Sequence, residues 1–311
     1  MCSFCDQRSI SGEQSAPAAE QVRAVLEEQA AHLAERGLKA EIAFFGGSFT
    51  AIPRGYMLDL LDTARVAVER FYVYSGIRCS TRPDCVDEEI VNILKSYGVT
   101  AVELGAQSMS EEVLLANGRG HTAEDVRGAS ALIKQSGIEL GLQMMTGLYK
   151  DDPGRCLETA DEFVKLAPKT VRIYPTVILK NTRLGELFVS GEYRSFSFDE
   201  TVDLCAELLQ KFERNGIRVI RLGLHASPDV EREMLGGVYH PALREIVESR
   251  IFLKDMKSRL AKLEKGYHLI YTDPKNISKA IGQKKCNIKA LAELGYEIDI
   301  LPLEGEYLLI K

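Results

Sequence analysis

Cys2-Ser3-Phe4-Cys5 is a C-x-x-C pair with an aromatic residue just before the second thiol. Two thiols so spaced can chelate zinc, exchange with a disulfide or ligate an iron–sulfur cluster, and the pair alone leaves all three open. A second candidate is Gly46-Gly47-Ser48-Phe49-Thr50, which follows an apolar run. Two glycines there let backbone approach a ligand with no Cβ in the way. Ser and Thr add hydroxyls and N–H donors, although a plain strand-to-helix turn would use the same residues. Glu103, Gln107, Gln143, Tyr174 and His121 are polar residues in or beside other apolar runs. Each has a plainer alternative: Glu103 a strand-end surface carboxylate, Gln143 a buried amide, Tyr174 a ring packed before a proline, His121 a turn residue. Met144 and Met145 suit a core as well as a ligand contact. Cys79 and Cys85, which flank Arg82, read as small buried residues.

A scaffold that brings these residues together is written in a repeat. From residue 38 to about 225, short apolar runs alternate with longer amphipathic stretches. The runs cover residues 41–47, 76–83, 100–107, 139–148, 170–179 and 218–224. Rich in Val, Ile, Leu or Phe, they read as strands buried on both faces. The stretches between carry helical period: Val202, Leu204, Cys205, Leu208, Leu209 and Phe212 fall on one side of a helix that Asn215-Gly216 stops. Thr122 with Asp125 resembles a capping box, and Asp151-Asp152-Pro153 opens another helix. Repeated strand–helix units make a parallel α/β sheet with right-handed crossovers. The expected fold is a partial, TIM-like (β/α)6 barrel with chemistry at the C-terminal ends of its strands. A helix over residues 17–36 precedes the first visible strand, which suggests that the barrel's own first strand lies upstream of Met1. Near residue 240 the texture changes, so the domains expected are 1–240, the barrel, and 241–311, a small α+β domain.

The chain has 311 residues, 45% apolar and 27% charged, in the range of a globular protein. No apolar run approaches the ~18–20 residues needed to cross a bilayer. The first twenty residues are polar and small, unlike a signal peptide. The expectation is a cytoplasmic protein with no membrane partner, in which a close cysteine pair reads as metal-binding or redox-active. Net charge is −6, unevenly spread: residues 1–240 carry 26 Lys+Arg against 35 Asp+Glu, residues 241–311 carry 13 against 10. A basic tail on an acidic body hints at a polyanion partner for the tail.

Together with the N-terminal segment Cys2 to Gly12, six further segments occur in order. They are Phe44-Phe45-Gly46-Gly47-Ser48-Phe49-Thr50, Ser80-Thr81-Arg82-Pro83-Asp84, Val102-Glu103-Leu104-Gly105-Ala106-Gln107-Ser108, Arg119-Gly120-His121-Thr122, Leu140-Gly141-Leu142-Gln143-Met144-Met145 and Arg172-Ile173-Tyr174-Pro175-Thr176. So arranged, residues 2–225 resemble the radical S-adenosylmethionine (radical SAM) superfamily, in the group around the elongator catalytic subunit. The resemblance implies a [4Fe–4S] cluster and S-adenosylmethionine as cofactors, a 5′-deoxyadenosyl radical and a low-potential electron donor. It makes Cys2 and Cys5 the second and third cluster thiolates and Phe4 the aromatic beside the adenine. Gly46, Gly47 and Ser48 match the turn that receives the methionine amino group. Glu103, Gln107 and Ser108 match positions near the ribose and sulfonium, and Gly141, Gln143 and Met144 the segment near the adenine. Thr50 and Arg82 join the cofactor-binding set. Tyr174 and Lys180 are the candidates for a catalytic side chain.

The family motif would put a leading cysteine four positions before Cys2, where this sequence has begun only one position earlier; the expectation is a truncated or miscalled start. The residues after the barrel are too few for the acetyltransferase domain of the elongator subunit, so acetyl-CoA chemistry is not expected of this sequence. The tail, from Ile277 to Leu291 and then Tyr296 to Ile300, is similar to a K-homology (KH) RNA-binding domain, in which a G-x-x-G loop clamps nucleic-acid backbone. Here that loop reads Gly282-Gln283-Lys284-Lys285, with two lysines for phosphate attraction; a small domain closing the barrel is the alternative. The leading function is a radical SAM enzyme modifying RNA, with a tRNA base as the expected target and no DNA partner. A radical SAM enzyme for a small molecule such as a porphyrin precursor, and a non-enzymatic RNA-binding protein with a decayed barrel, stay open beside it.

Overall fold

The computed structural model describes residues 2–5 and 16–310. Residues 6–12 of the N-terminal segment, quoted above for its resemblance, and Lys311 lie outside the described residues. Helix α1 (Ala19–Glu35) precedes strand β1 (Ala40–Phe44). Then α2 (Arg54–Arg70), β2 (Tyr74–Thr81), α3 (Glu88–Ser96), β3 (Val99–Gln107), α4 (Glu111–Ala116), α5 (Ala123–Ser136), β4 (Glu139–Thr146), α6 (Pro153–Leu166) and β5 (Thr170–Pro175) follow. A short strand, β6 (Val177–Leu179), leaves the sheet, and after α7 (Arg183–Val189) and α8 (Phe198–Arg214), β7 (Arg218–Leu222) returns to pair with β5. Six parallel strands result, in the order β1-β2-β3-β4-β5-β7, curled into a half-barrel.

Alternation divides each strand between two faces. On β3, Val102, Leu104 and Ala106 join the core under the helices, while Glu103, Gly105 and Gln107 take the concave face. The helix ends follow the expected local chemistry. Thr122 and Asp125 form a reciprocal capping box on α5, Asp152 caps α6 with Pro153 in its first turn, and Gly216 (φ 71°) turns the chain out of α8.

The run expected as one strand over 170–179 is two. The break is at Thr176, whose amide and hydroxyl both donate to the Thr146 carbonyl, at 3.0 and 2.8 Å. Beyond it, β6 pairs antiparallel with β8 (Met234–Gly237), which follows the short helix α9 (Pro228–Glu233). Gly237 (φ 85°) is required there, because a Cβ would stand 2.3 Å from the Thr176 carbonyl oxygen.

Helix α10 (Leu243–Leu260) serves two cores. Leu243, Val247 and Ile251 pack into the barrel core, and Phe252, Met256 and Leu260 into a second one with Ile270, Ala280, Leu291 and Ile298. The cores thus change over within α10, beyond the boundary expected near 240. The small domain runs β9 (Gly266–Thr272), α11 (Ile277–Ile281), α12 (Cys286–Ala292), β10 (Tyr296–Pro302) and β11 (Leu309–Ile310). Its sheet order is β10-β9-β11, with β9 and β10 parallel and β11 antiparallel. The order is strand–helix–loop–helix–strand, closed by the short β11. No helix of the described residues is long and apolar enough to cross a membrane.

Candidate active site at the mouth of the half-barrel

The Cys2–Cys5 segment is a tight turn, closed by Cys5 N–H donating to the Cys2 carbonyl at 3.3 Å. Ser3, at its centre, is buried and ties the turn to two helices. Its amide and hydroxyl donate to the carbonyl and side-chain oxygens of Asn117, at 2.9 and 2.7 Å. Its own carbonyl accepts the Leu184 amide of α7 at 2.8 Å. Asn117, fully buried, also donates its side-chain amide to the Val113 and Tyr149 carbonyls. Phe4 packs with Ile178, Leu184, Leu187 and Tyr193. The first role this geometry gives Phe4 is therefore to seat the turn.

Arg119 connects that turn to the barrel. One guanidinium nitrogen donates to Cys2 Sγ at 3.1 Å. The other donates to the Gly105 carbonyl of β3 at 2.6 Å and lies 3.4 Å from His121 Nδ1. His121 Nε2 is 3.0 Å from the Ala106 carbonyl. An Nε2–H tautomer satisfies both contacts, leaving Nδ1 to accept. Burial, then the Arg119 charge, pushes the His121 pKa down, which keeps the ring neutral. His121 is therefore a buried strut, not merely a turn residue.

Below the turn, the concave face carries a ladder of charges. Glu41 of β1 accepts from Arg78 of β2 at 2.9 and 3.1 Å. Arg78 also donates to Glu103 Oε1 of β3 at 3.0 Å. Arg172 of β5 holds Glu103 with two nitrogens, Nη2 at 3.0 Å and Nε closer still. Its Nη1 reaches the Tyr174 hydroxyl at 3.4 Å. Burial opposes the charge on both arginines, but the hydrogen bonds and the fields of Glu103, and for Arg78 also of Glu41, hold their pKa values above the ordinary one. The Glu103 side chain is 4% exposed, which overturns the surface-carboxylate alternative.

Several sequence expectations change against this geometry. Gly141 faces Glu103: a Cβ there would lie 2.8 Å from Glu103 Cγ and 2.9 Å from Thr170 Oγ1, so the glycine makes room for the carboxylate. Met144 is fully buried among the helix-side core residues, and the concave face of β4 instead receives Gly141, Gln143 and Met145. Gln143 is half-buried and donates to Gln107 Oε1 at 3.1 Å. Gln107 sits at φ 67° where β3 ends. Ser108 turns away from the concave face; it is buried, with its hydroxyl accepting the Ser110 amide at 3.1 Å near Thr159. Thr50 is also buried, its hydroxyl donating to the Cys85 carbonyl and touching Thr81 Oγ1, both at 2.6 Å. Arg82 is paired with Asp84, which raises its pKa. Lys180 donates to the Arg232 carbonyl at 3.1 Å and lies 3.8 Å from Glu233; its partners are on α9, apart from the ladder. Gly46 (φ 109°), Gly47 and Ser48 form an open turn at the end of β1, with both glycines exposed. Cys79 is fully buried, and burial, then the Glu103 charge, pushes its thiol up to about 12, as befits a core residue.

The donor chemistry at the turn, soft thiol sulfur under a guanidinium, suits an iron–sulfur cluster. The donor count does not complete one, because among the described residues no group of three His, Cys, Asp or Glu could hold a metal ion. Sequence reasoning quoted Arg119 and Arg172 only as members of matching segments, with no role, and did not name Arg78 or Asn117. The signal available was an arginine at an inward position of an apolar strand, which in a parallel sheet needs a buried partner.

A curled parallel half-barrel with a C-x-x-C turn held over the end of its third strand defines a class, and comparison gives it a family. Residues 1–163 match the Radical SAM superfamily and residues 168–252 the Radical_SAM C-terminal domain, and the chain belongs to the radical SAM superfamily. Among its relatives is human Elongator complex protein 3, 30% identical over 258 residues that cover 75% of this chain and 46% of that protein. A "tRNA uridine(34) acetyltransferase" of Methanocaldococcus infernus is 28% identical over 209 residues, 63% of this chain and 38% of that protein. The solved structure of Methanocaldococcus infernus Elp3 with an N-terminal deletion superposes with a TM-score of 0.64 at 25% identity, covering 78% of this chain and 59% of that one. The chain spans about half the length of the curated relatives it matches.

Proposed function

We propose that this chain forms the barrel of a radical SAM enzyme that modifies RNA, with a tRNA base as the substrate class. The observation that carries this reading is the Cys2–Cys5 turn, fixed over the end of β3 by Ser3, Asn117 and Arg119. In the proposal Cys2 and Cys5 supply two thiolates to a [4Fe–4S] cluster, with the third from outside the described residues. When bound, the cluster and S-adenosylmethionine supply the 5′-deoxyadenosyl radical. The protein's own residues position and shield. Arg119 neutralises negative charge gathered at Cys2. The open Gly46-Gly47-Ser48 turn offers backbone donors at the mouth, the Gln107–Gln143 pair presents amide groups beside it, and the buried ladder below keeps the floor rigid and dry. The name of one relative, a tRNA uridine(34) acetyltransferase, supports RNA as the substrate. Iron and sulfide content after anaerobic reconstitution of the full-length protein tests the reading. Cys2→Ala and Cys5→Ala should each lose the cluster and its brown charge-transfer band, because a lost thiolate leaves the cluster unanchored. Normal content in both variants would show that other ligands hold it.

A further inference from the structure

The ladder does not end at Glu103. Phe45, just past β1, lies against the Arg172 guanidinium at 4.9 Å, although β1 and β5 are four strands apart in the sheet; the curl of the half-barrel brings them together. Arg172 is locked from below by its two bonds to Glu103, so Phe45 rests on a fixed cation, while 47% of the residue remains exposed. Beside Arg172, in register across β5 and β7, stands Arg221. Its Nε donates to the Gly223 carbonyl at 2.8 Å, which orients the guanidinium. Among the described residues no carboxylate pairs with Arg221, in a chain whose net charge is −6. Three residues past the end of β7, the exposed His225 feels both cations: its pKa is lowered by burial, then by Arg221 and Arg172. A flat apolar ring on a fixed base, with an uncompensated guanidinium in register beside that base, is what a nucleotide needs: a surface for its base and donors for its phosphate.

Resting on the proposed RNA substrate, we propose that Phe45, Arg221 and His225 form the seat for one unpaired nucleotide at the open edge of the half-barrel. The base stacks on the exposed face of Phe45 and the phosphodiester takes the free nitrogens of Arg221. Phe45 and Arg221 are positioning residues for the substrate and do not touch the cluster thiols.

Fluorescence anisotropy with unfractionated tRNA and with a single-stranded oligouridylate, over a range of salt, tests the seat in the full-length protein. Arg221→Ala should weaken binding of both probes about tenfold and lower the slope of log K against log salt by about 1. Arg221→Lys should keep the slope. Phe45→Leu should weaken binding about 5- to 100-fold with the slope unchanged, because stacking releases no counterion. Thermal melts of each variant report whether the fold is intact; both side chains are partly exposed, so intact folds are expected. If the parent binds tRNA and Arg221→Ala and Phe45→Leu both bind as well as the parent, the seat is overturned while the RNA reading stands. If the parent binds neither probe, both fall.

Discussion

Removing the Glu103 carboxylate is the sharpest physical test of the concave face. Glu103 accepts three charged hydrogen bonds, one from Arg78 and two from Arg172, at side-chain exposures of 10% and 18% for the arginines. In Glu103→Ala, Arg78 keeps Glu41, but Arg172 keeps only a long contact to Tyr174 and the Phe45 ring. A buried cation left without its partner costs about 3–5 kcal/mol. That corresponds to a fall in Tm of the order of 10 °C for a domain this size. Much of the cost is the stranded charge rather than the lost pair. Replacing Arg172 by Met as well should therefore recover about 1–3 kcal/mol relative to the single variant, a coupling that a double-mutant cycle reads directly. Urea unfolding followed by circular dichroism at neutral pH gives the four stabilities. A single-variant loss below about 1 kcal/mol, or strict additivity in the cycle, would refute the claim that these charges form one interdependent buried unit.

Three further outcomes follow from individual sites. His121 has a folded pKa below its unfolded value of about 6.5, so the unfolded chain binds more protons as pH falls from 6.5 toward the folded value, and stability present above 6.5 is lost across that window. His121→Gln should shrink the drop in urea midpoint between pH 8 and pH 5.5, and an unchanged drop would clear His121 of it. Gly282 sits at φ 76° with a Cβ position 2.5 Å from Cys286 Sγ and 3.0 Å from Asn287 Cγ, so Gly282→Ala should cost the small domain about 2 kcal/mol or more, read by amide hydrogen exchange in β9 and β10; unaltered protection there would contradict the packing. Lys284 and Lys285, both exposed in left-handed backbone at φ 50° and 61°, are proposed to attract RNA phosphate, and changing both to Glu should weaken tRNA binding and flatten its salt dependence while cluster content stays constant; equal binding by parent and variant would remove the small domain from RNA recognition.

The six parallel strands were legible because each is an apolar run between amphipathic helices, a pattern with few alternative folds. Helix caps at Thr122, Asp152 and Gly216 were legible because their chemistry is local. What escaped was non-local or a matter of parity. The Arg78–Glu103 bond spans 25 positions and the Arg172–Glu103 bond 69, distances at which spacing carries no information. The split at Thr176 depends on a carbonyl 30 positions away. Asn117 anchors Ser3 across 114 positions. Parity, by contrast, was available: on β4 the apolar Leu140 and Leu142 already mark the helix side, so Met144 belongs with them and Met145 with Gly141 and Gln143.

Gly141, expected in the segment near the adenine, faces a side chain of the protein itself. The space left by its absent Cβ is filled by Glu103. The consequence reaches the mouth of the barrel. With Gly141 bare, Glu103 can face β5 and hold Arg172; with Arg172 held, Phe45 has a fixed cation to rest on. A methyl group at residue 141 should therefore act at a distance: by displacing Glu103 it would loosen Arg172 and then Phe45. Gly141→Ala should thus weaken nucleotide binding in the same direction as Phe45→Leu, although residue 141 lies on the floor and Phe45 at the rim. Tight RNA binding by a folded Gly141→Ala protein would show that the rim is independent of the floor.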